Sequence, residues 1–303
     1  MERIRTFFAI VELRTKMVSL SGILLGTAYA VRQTGRFSWF RAILMLVASL
    51  AIDMGTTAWN TYFDYLRGID HPRFNREADK VLIHGEVSPA LAFWTAFWLY
   101  LLAVPPGISL AYTAGFWVIW AGALCMLVGF FYNAGPYPIS RFPVGELIAG
   151  GFLGFVLFLI SYGVQIGKTG GGEMGDWYSA CIAAIPSGLS VASILAVNNT
   201  CDIEGDREAG RRTFPVVMGK QGGEGLAFGT ALGASLLLPV LAAGGILSRY
   251  GIGVGILLAV HTIYRFRSMH LRGYSHETKS RNMKEILKVF GVWSLGYLGV
   301  LVV

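Results

Sequence analysis

Two acidic clusters carry the side chains of this chain whose types and spacing could do chemistry. Together they contain Asn60, Asp64, Asp70, Asn198, Asp202 and Asp206. The step from Asn60 to Asn198 is 138 residues, and the step from Asp64 to Asp202 is the same. Each cluster begins where a long apolar stretch meets a polar loop, and charge beside an apolar span is costly unless water, a partner or a metal compensates. The repetition predicts one binding site built from two similar halves.

The ligand chemistry of both clusters favours a hard divalent cation. Residues four apart share one face of a helix, so Asn60 and Asp64 project together. Asn198, Asp202 and Asp206 do the same in the second cluster. Carboxylate and amide oxygens are the ligands that suit Mg²⁺. Solvated loop charges or helix caps would explain a single cluster, but two matched clusters favour the metal.

Charge balance indicates that a diphosphate is the partner of this metal site. Four Asp supply about −4, and two Mg²⁺ would offset that charge, leaving a site that accepts a diphosphate of about −3. Basic side chains near the clusters could hold the remaining phosphate oxygens. These residues are Arg67, Lys80, Arg207, Arg211 and Arg212.

Composition predicts an all-α, polytopic membrane protein that forms a single domain over residues 1–303. Apolar residues make up 54% of the chain and charged residues 14%, and the mean hydropathy is +0.56. Soluble domains carry about 25% charged residues. Stretches of roughly 20 apolar residues can cross a bilayer as helices, which satisfy their own backbone groups. We expect nine spans, at about 17–35, 40–62, 88–110, 114–132, 143–166, 177–198, 224–246, 250–268 and 283–303.

The distribution of basic residues predicts the orientation of these spans. The N-terminus and the loops on the same side hold 20 of the 25 Lys and Arg. Because cytoplasmic segments carry an excess of Lys and Arg, we expect the N-terminus and both acidic clusters on the cytoplasmic side of the cell inner membrane. The net charge of +7 then suits anionic lipid heads or an anionic substrate, and no feature supports nucleic-acid binding. We expect no signal peptide, because the first 16 residues are basic and lack a long apolar core.

The membrane context selects the kind of diphosphate. A polyprenyl diphosphate would place its tail in the bilayer and its head at the metal. Departure of the diphosphate from an allylic carbon leaves a delocalised cation, which aromatic ring faces stabilise. The chain has 19 Phe, 13 Tyr and 8 Trp. An electron-rich aromatic acceptor would then attack that carbon.

The clusters and their surroundings resemble the two motifs of the UbiA superfamily of intramembrane prenyltransferases. The first motif is similar to Asn60-Thr-Tyr-Phe-Asp64-Tyr-Leu-Arg67-Gly68-Ile-Asp70. The second is similar to Asn198-Asn199-Thr-Cys-Asp202-Ile-Glu204-Gly-Asp206-Arg-Glu-Ala-Gly210-Arg211-Arg212-Thr213. The resemblance spans nearly the whole chain. It implies an all-helical bundle, with two four-helix pseudo-repeats, around a central cavity that opens toward the membrane.

Within the superfamily the chain resembles the dihydroxynaphthoate polyprenyltransferases of menaquinone biosynthesis. Features that carry this resemblance are Gly68-Ile-Asp70, the pair Asn198-Asn199, and Tyr132-Asn-Ala-Gly135-Pro136-Tyr-Pro138 followed by Gly145-Glu146. Those enzymes attach a prenyl chain to a naphthoate ring with loss of its carboxylate.

The resemblance also implies roles for the site residues. The six residues of the two clusters would hold Mg²⁺ and the diphosphate, directly or through water, and an Asp or Asn of the second cluster would orient or deprotonate the acceptor hydroxyl. The catalytic set comprises Asn60, Asp64, Asp202 and Asp206. The substrate-binding set comprises Arg67, Lys80, Asn198, Asn199, Arg211, Arg212 and Tyr132.

Other polar residues have two interpretations each. Asp53 continues the helical stripe through Asn60 and Asp64, where a buried hydrogen bond is favoured over an extension of the site. Tyr132 and Glu146 either border the acceptor pocket or pack the Pro-rich loop. The basic pair at positions 14 and 16 is expected to anchor the topology, with contact to an acceptor carboxylate as the alternative.

Two further functions remain open on sequence alone. The first is prenyl transfer to another acceptor, such as 4-hydroxybenzoate, haem or a glycerol phosphate lipid. The second is ion-coupled transport, since intramembrane Asp residues can bind coupling ions. Many transporters place their sites near the membrane midplane, between inverted repeats. Here four spans separate the clusters, so both acidic ends should face the same side, which favours one shared diphosphate site.

Overall fold

Helices make up the ordered secondary structure of the described chain. The computed structural model describes residues 2–69, 82–83, 87–168 and 174–303, and only the backbone of residues 2–5, 14 and 174–176. That part contains helices and no strand, which agrees with the all-α prediction. In chain order the helices are α1 (Glu2–Ile10), α2 (Met17–Thr34), α3 (Trp39–Leu66), α4 (Pro89–Ala114), α5 (Trp117–Asn133), α6 (Gly145–Ala149), α7 (Leu157–Ile166), α8 (Met174–Cys201), α9 (Ile203–Glu208), α10 (Phe214–Ala243), α11 (Tyr250–Arg272) and α12 (His276–Val302).

Several of these helices can span a membrane. By length and composition, six in the described part are long and apolar enough, namely Trp39–Leu66, Pro89–Ala114, Gly145–Ile166, Trp177–Cys201, Phe214–Ala243 and His276–Val302. The segment Gly145–Ile166 is continuous because a π-helical stretch, Gly150–Val156, joins α6 to α7. Helix α5 is apolar but has only 17 residues. Each of the nine expected segments overlaps a helix, whereas the count of nine spans and the pseudo-repeats stay predictions.

Two helices begin earlier than the hydropathy pattern predicts. Helix α10 starts at Phe214 rather than near 224, but Gly219 interrupts it with a φ of +76°. Helix α12 starts at His276 rather than near 283, because Ser275 and Thr278 form a capping box that satisfies the first backbone N–H groups. Polar first turns therefore extend α12 beyond its apolar segment, whereas α10 gains a short apolar piece, Phe214 to Met218, before Gly219.

Small side chains fill the contact between α8 and α10, and many large apolar side chains face outward. Ala180, Ala183 and Ala184 of α8 and Ala234 of α10 have no exposed surface. Small residues let helix backbones approach closely, which is how helices associate inside membranes. The outward-facing residues include Trp98, Trp120, Tyr112, Leu257, Tyr264 and Leu295, each more than half exposed. This distribution suits a bundle surrounded by lipid.

Glycines allow a close helix contact beside the central cavity. A Cβ on Gly154 would lie 2.6 Å from the Cα of Gly188 on α8, and one on Gly150 would meet the Gly188 carbonyl oxygen. The π-helical stretch therefore packs on α8 backbone against backbone. Phe152 and Leu153 of the same stretch line the cavity. Stretches of π-helix are frequent at functional sites.

We predict that Gly26→Ala destabilises the bundle. Helix α2 crosses α7 at this residue, where a Cβ would meet the carbonyl oxygen of Phe158 and lie 2.9 Å from the Cβ of Ser161. Overpacking of this kind costs about 1–3 kcal/mol. Thermal unfolding of the purified protein in detergent should show a lower midpoint. Gly225→Ala, in open space on α10, is the control, and an equal response of both variants would contradict the prediction.

Candidate active site

An elongated cavity of about 1150 Å³ runs through the bundle between α2, α3, α4, α5, the segment Gly145–Ile166, α8 and α12. Polar residues line one end, namely Asn60, Asp64, Tyr132, Asn133, Asn198, Asn199, Asp202, Asp206, Arg211 and Lys279. Apolar residues such as Met45, Val104, Ile108, Val118, Ile119 and Leu157 line the rest. Met45 and Asp64 lie on the same helix, 19 residues apart, which corresponds to about 28 Å of helix axis. The cavity can therefore hold a polar head and a long apolar tail.

The last turns of α3 present the first acidic cluster to the cavity. Asp64 accepts a hydrogen bond of 2.8 Å through its Oδ1 from Asn133 Nδ2 at the end of α5. Asn60, one turn earlier, also lines the cavity. Its Oδ1 is buried and has no hydrogen-bond partner among the described residues. A buried amide oxygen without a donor is an oxygen that a cation could satisfy.

Arg67 supports the first cluster through contacts with the backbone after α5. Its guanidinium donates hydrogen bonds to the carbonyl oxygens of Asn133 and Gly135. These contacts tie the end of α3 to the chain leaving α5 and so fix Asn133 against Asp64. Arg67 was predicted to bind substrate, but it is not among the residues that line the cavity.

A break between α8 and α9 sets the direction of the side chains of the second cluster. Helix α8 ends at Cys201, Asp202 adopts φ −99° and ψ 8°, and the short helix α9 begins at Ile203. Asp202 Oδ2 accepts a hydrogen bond of 3.3 Å from Asn198 Nδ2. Asp206 of α9 is buried, and its two oxygens accept from Arg211 Nη1 at 3.0 Å and from Thr213 Oγ1 at 2.9 Å. Asn198, Asp202 and Asp206 all reach the cavity, as the spacing predicts.

Arg211 connects the two clusters electrostatically. Besides binding Asp206, it donates from Nε to the carbonyl oxygen of Ser140 at 3.2 Å. Burial lowers the pKa of the Arg211 guanidinium, but the carboxylates of Asp206, Asp64 and Asp202 raise it by more, so its net pKa is raised. One fixed cation thus feels the acids of both motifs, which agrees with its predicted place in the site.

The adjacent asparagines of the second motif have different surroundings. Asn198 faces Asp202, whereas Asn199 is buried and donates from Nδ2 to Glu146 Oε1 at 2.9 Å. Glu146 is buried behind Asn199 and is not among the cavity-lining residues. Tyr132 does line the cavity. Of the two open interpretations, Glu146 fits packing and Tyr132 fits the pocket wall.

The remaining predicted residues lie away from the cavity or outside the description. Arg207 and Arg212 are exposed and do not line it, and the Arg212 backbone N–H donates to the carbonyl oxygen of Arg141 at 2.8 Å. Asp70 and Lys80 lie outside the described residues.

Asp53 makes the buried hydrogen bonds favoured from the sequence. Its Oδ1 lies 2.8 Å from Lys16 Nζ, and its Oδ2 accepts from Ser19 Oγ at 2.7 Å. Lys16, which was expected to anchor the topology, is buried and also donates to Thr57 Oγ1 at 2.7 Å. Ser19, Asp53 and Thr57 form a polar patch in the cavity wall, and Lys16, which does not line the cavity, holds Asp53 and Thr57.

Sequence reasoning missed Lys279 and Asn133. Lys279, in the first turns of α12, is buried with its Nζ 2.8 Å from Asp202 Oδ2. Only one sequence signal could have singled it out. Cations are disfavoured near the positive end of a helix dipole, so a lysine there suggests a local acidic partner. Asn133 stands in the quoted stretch from Tyr132 to Pro138, but no local pattern indicates its contact with Asp64, which joins residues 69 apart.

The donor set fits Mg²⁺ shared with a phosphate group. No group of three or more His, Cys, Asp or Glu close enough to hold a metal occurs within the described part of the chain. Mg²⁺ does not require one, because it commonly takes one or two carboxylates, several waters and substrate phosphate oxygens. Asp64, Asp202 and Asp206 offer carboxylate oxygens to the same cavity, and Asn60 offers its unpaired amide oxygen.

Comparison with known proteins settles the family. The sequence profile of the UbiA prenyltransferase family matches residues 19–290. The chain belongs to the UbiA prenyltransferase family. With its long apolar helices, this UbiA-family chain is an integral, multi-pass membrane protein.

Individual relatives and structures are similar to it. A protein of Bacillus subtilis (strain 168) named 1,4-dihydroxy-2-naphthoate octaprenyltransferase is 30% identical over 208 residues, covering 69% of this chain and 64% of that protein. The chain thus matches less than two thirds of the length of this relative, and the same holds for several mammalian relatives.

Two solved structures share the fold of this UbiA-family chain. An apo UbiA homolog from Aeropyrum pernix K1 superposes with a TM-score of 0.68 at 18% identity, covering 92% of this chain and 97% of that one. A UbiA homolog from Archaeoglobus fulgidus bound to GPP and Mg²⁺ superposes with a TM-score of 0.62 at 16% identity, covering 98% and 100%.

We predict that Glu146→Leu destabilises the site. The substitution would leave the buried Nδ2 of Asn199 without an acceptor, which costs about 1–3 kcal/mol. Glu146→Gln keeps an oxygen acceptor and should lose much less. Thermal unfolding in detergent compares the midpoints of the unaltered protein and the two variants. If leucine and glutamine lower the midpoint equally, the hydrogen bond does not hold Asn199.

Proposed function

We propose that this protein is a Mg²⁺-dependent prenyltransferase that moves a polyprenyl chain from an allylic diphosphate to an aromatic acceptor. One observation carries the proposal. Acids of both motifs line the polar end of a single elongated cavity, and apolar side chains line most of the rest of that cavity. A diphosphate head with an isoprenoid tail has the same division of polarity and length.

Charge balance supports the diphosphate. At the polar end, Asp64, Asp202 and Asp206 supply three negative charges, and Arg211 and Lys279 supply two positive ones. The other charged lining residues cancel, because Glu12 is matched by Lys284, and Asp53 is paired with Lys16 at 2.8 Å. Two Mg²⁺ would bring the net charge from −1 to +3, which balances a diphosphate of about −3.

Several residues of the two clusters would assist the departure of the diphosphate from the allylic carbon. Asn60, Asp64, Asn198, Asp202 and Asp206 would hold Mg²⁺ and the diphosphate, directly or through water, with Asp70 as a further candidate. Mg²⁺ supplies Lewis-acid stabilisation of the departing diphosphate.

The fixed guanidinium of Arg211 adds positive charge where negative charge develops on the leaving group. The apolar walls exclude water from the allylic cation until the acceptor reaches it.

The acceptor we propose is 1,4-dihydroxy-2-naphthoate, with menaquinone biosynthesis as the pathway. The name of the Bacillus relative and the branch resemblance of the motifs support it. The polar patch of Ser19, Asp53 and Thr57 in the cavity wall offers hydrogen bonds to a hydroxylated ring. An Asp or Asn of the second motif would orient the acceptor hydroxyl.

We also propose nine spans in the cell inner membrane, with the N-terminus and the polar end of the cavity toward the cytoplasm. The excess of Lys and Arg in the loops on that side supports this orientation. A water-soluble diphosphate head and its metal would then enter from the cytoplasm, while the tail enters from the bilayer.

The reaction itself is the first test. We expect the purified protein in detergent or nanodiscs to prenylate 1,4-dihydroxy-2-naphthoate from a labelled prenyl diphosphate in the presence of Mg²⁺. EDTA should stop the reaction and added Mg²⁺ restore it. Product analysis by chromatography and mass spectrometry measures both effects. Parallel reactions contain 4-hydroxybenzoate, haem or a glycerol phosphate lipid.

The outcomes separate the possible functions. Product from another acceptor alone would overturn the naphthoate assignment but keep prenyl transfer. Turnover that continues in EDTA would contradict the proposed Mg²⁺ dependence. Ion flux in proteoliposomes without diphosphate release would show that the protein is a transporter and would exclude prenyl transfer.

We predict that Asp64→Asn and Asp202→Asn each reduce turnover by about a hundredfold or more. Asparagine matches aspartate in size, and Asn133 can still donate to the new amide oxygen at position 64, so the loss reports the carboxylate charge. The loss of turnover is measured as the steady-state rate of each folded, membrane-inserted variant relative to the unaltered protein. Glu208→Gln, an exposed acid on α9, is the control. Near-normal turnover in either Asp variant would count heavily against the proposed site.

A further inference from the structure

Lys279 is a buried lysine at the junction of the second motif with the last helix. Its side chain is about 10% exposed, and its Nζ lies 2.8 Å from Asp202 Oδ2. The residue also lines the cavity, beside Ser280 and Met283 of the same helix. Lysines are almost never buried unless they are paired, so the position of this ammonium group needs an explanation.

Docking of α12 does not explain it. Asn282 donates from Nδ2 to the carbonyl oxygen of Gly273 at 2.9 Å and lies 3.7 Å from Cys201 Sγ. His276 lies 3.6 Å from Glu204 of α9. A capping box starts the helix. The helix is therefore held at this place by other contacts, and a cation in its first turns opposes the helix dipole.

The charge of Lys279 matters to the cavity instead. Asp202 and Lys279 form one ion pair, and Asp206 and Arg211 form another. Arg211 is locked, because its Nε also binds the carbonyl oxygen of Ser140. Lys279 ends in a compact ammonium on a flexible stem with three rotatable donors, so it can exchange one oxygen partner for another nearby.

We propose that Lys279 is a substrate-binding residue that exchanges partners during loading. Before loading, its ammonium neutralises Asp202. When Mg²⁺ takes the Asp202 carboxylate, the ammonium turns to the diphosphate oxygens, which arrive at the same place. This inference rests on the proposed function, and it adds a cation from the last helix to the set that holds the leaving group.

The mechanism predicts opposite effects of removing the charge. Lys279→Met frees Asp202 from a competing cation, so binding of Mg²⁺ alone should tighten about threefold or more. The same variant loses a charge-assisted hydrogen bond to the diphosphate, so binding of an unreactive prenyl thiolodiphosphate at saturating Mg²⁺ should weaken about tenfold or more. A residue that merely stabilised the fold would not move the two affinities in opposite directions.

Calorimetric titration of the full-length protein in detergent measures both affinities. MgCl₂ is titrated first, and the thiolodiphosphate or inorganic pyrophosphate is titrated afterwards with Mg²⁺ present. Lys279→Arg should keep most of the diphosphate affinity. Lys279→Gln, which keeps a hydrogen-bond donor, provides a second neutral variant if Met impairs folding. Lys288→Met removes an exposed lysine, paired with Glu285 at 3.0 Å on the same helix, and should change neither affinity.

The results distinguish this proposal from the function on which it rests. Tighter Mg²⁺ binding with weaker diphosphate binding in the neutral variants supports the exchange. Unchanged affinities, or a parallel loss of both, would overturn the role of Lys279 and leave the prenyltransferase function intact. If the unaltered protein binds neither Mg²⁺ nor the diphosphate analogue, the proposed function falls together with the exchange.

Discussion

The structure depends on bringing carboxylates from two distant helices to one cavity inside a low-dielectric bundle. Like charges buried near each other repel strongly unless cations lie between them. Arg211 and Lys279 provide those cations, and each binds one acid of the second motif. Asp64 is held by an amide from α5 instead. The bundle therefore keeps its acids together through partners supplied by other helices and loops.

Helix ends determine where those acids point. The first motif occupies the last turns of α3, where side chains four apart reach one face. The second motif straddles a break at Asp202, so that α9 turns Asp206 back toward the cavity. The loop that follows α9 then returns Arg211 and Thr213 onto Asp206. The second motif thus combines a long helix that ends beside Asp202 with a short irregular connection that brings Arg211 to Asp206.

Local patterns carried most of what the sequence could predict. Each segment expected from hydropathy overlaps a helix. The four-residue spacing predicted one shared face for Asn60 and Asp64 and one for Asn198 and Asp202, and in the structure both pairs line the cavity. Contacts between residues far apart in sequence were beyond such patterns. Nothing in the local sequence distinguishes Lys279 from the other basic residues nearby. The local sequence also does not show whether Arg67 binds a substrate or, as in the structure, the backbone after α5. Asn199 illustrates the same limit, because its partner Glu146 lies on another helix. The spacing of the repeat nevertheless selected Asn198, the neighbour that faces Asp202.

The glycine contact between the π-helical stretch and α8 limits how the cavity can be reshaped. Gly150, Gly154 and Gly188 already touch through their backbones, so these three positions carry no side chain that could be shortened. The cavity can change its width only through the side chains that line it, such as Phe152 and Leu153 beside the glycines and Ile108 and Ile119 on α4 and α5. The glycine contact therefore fixes the spacing of the two backbones, while the lining side chains set the room between them.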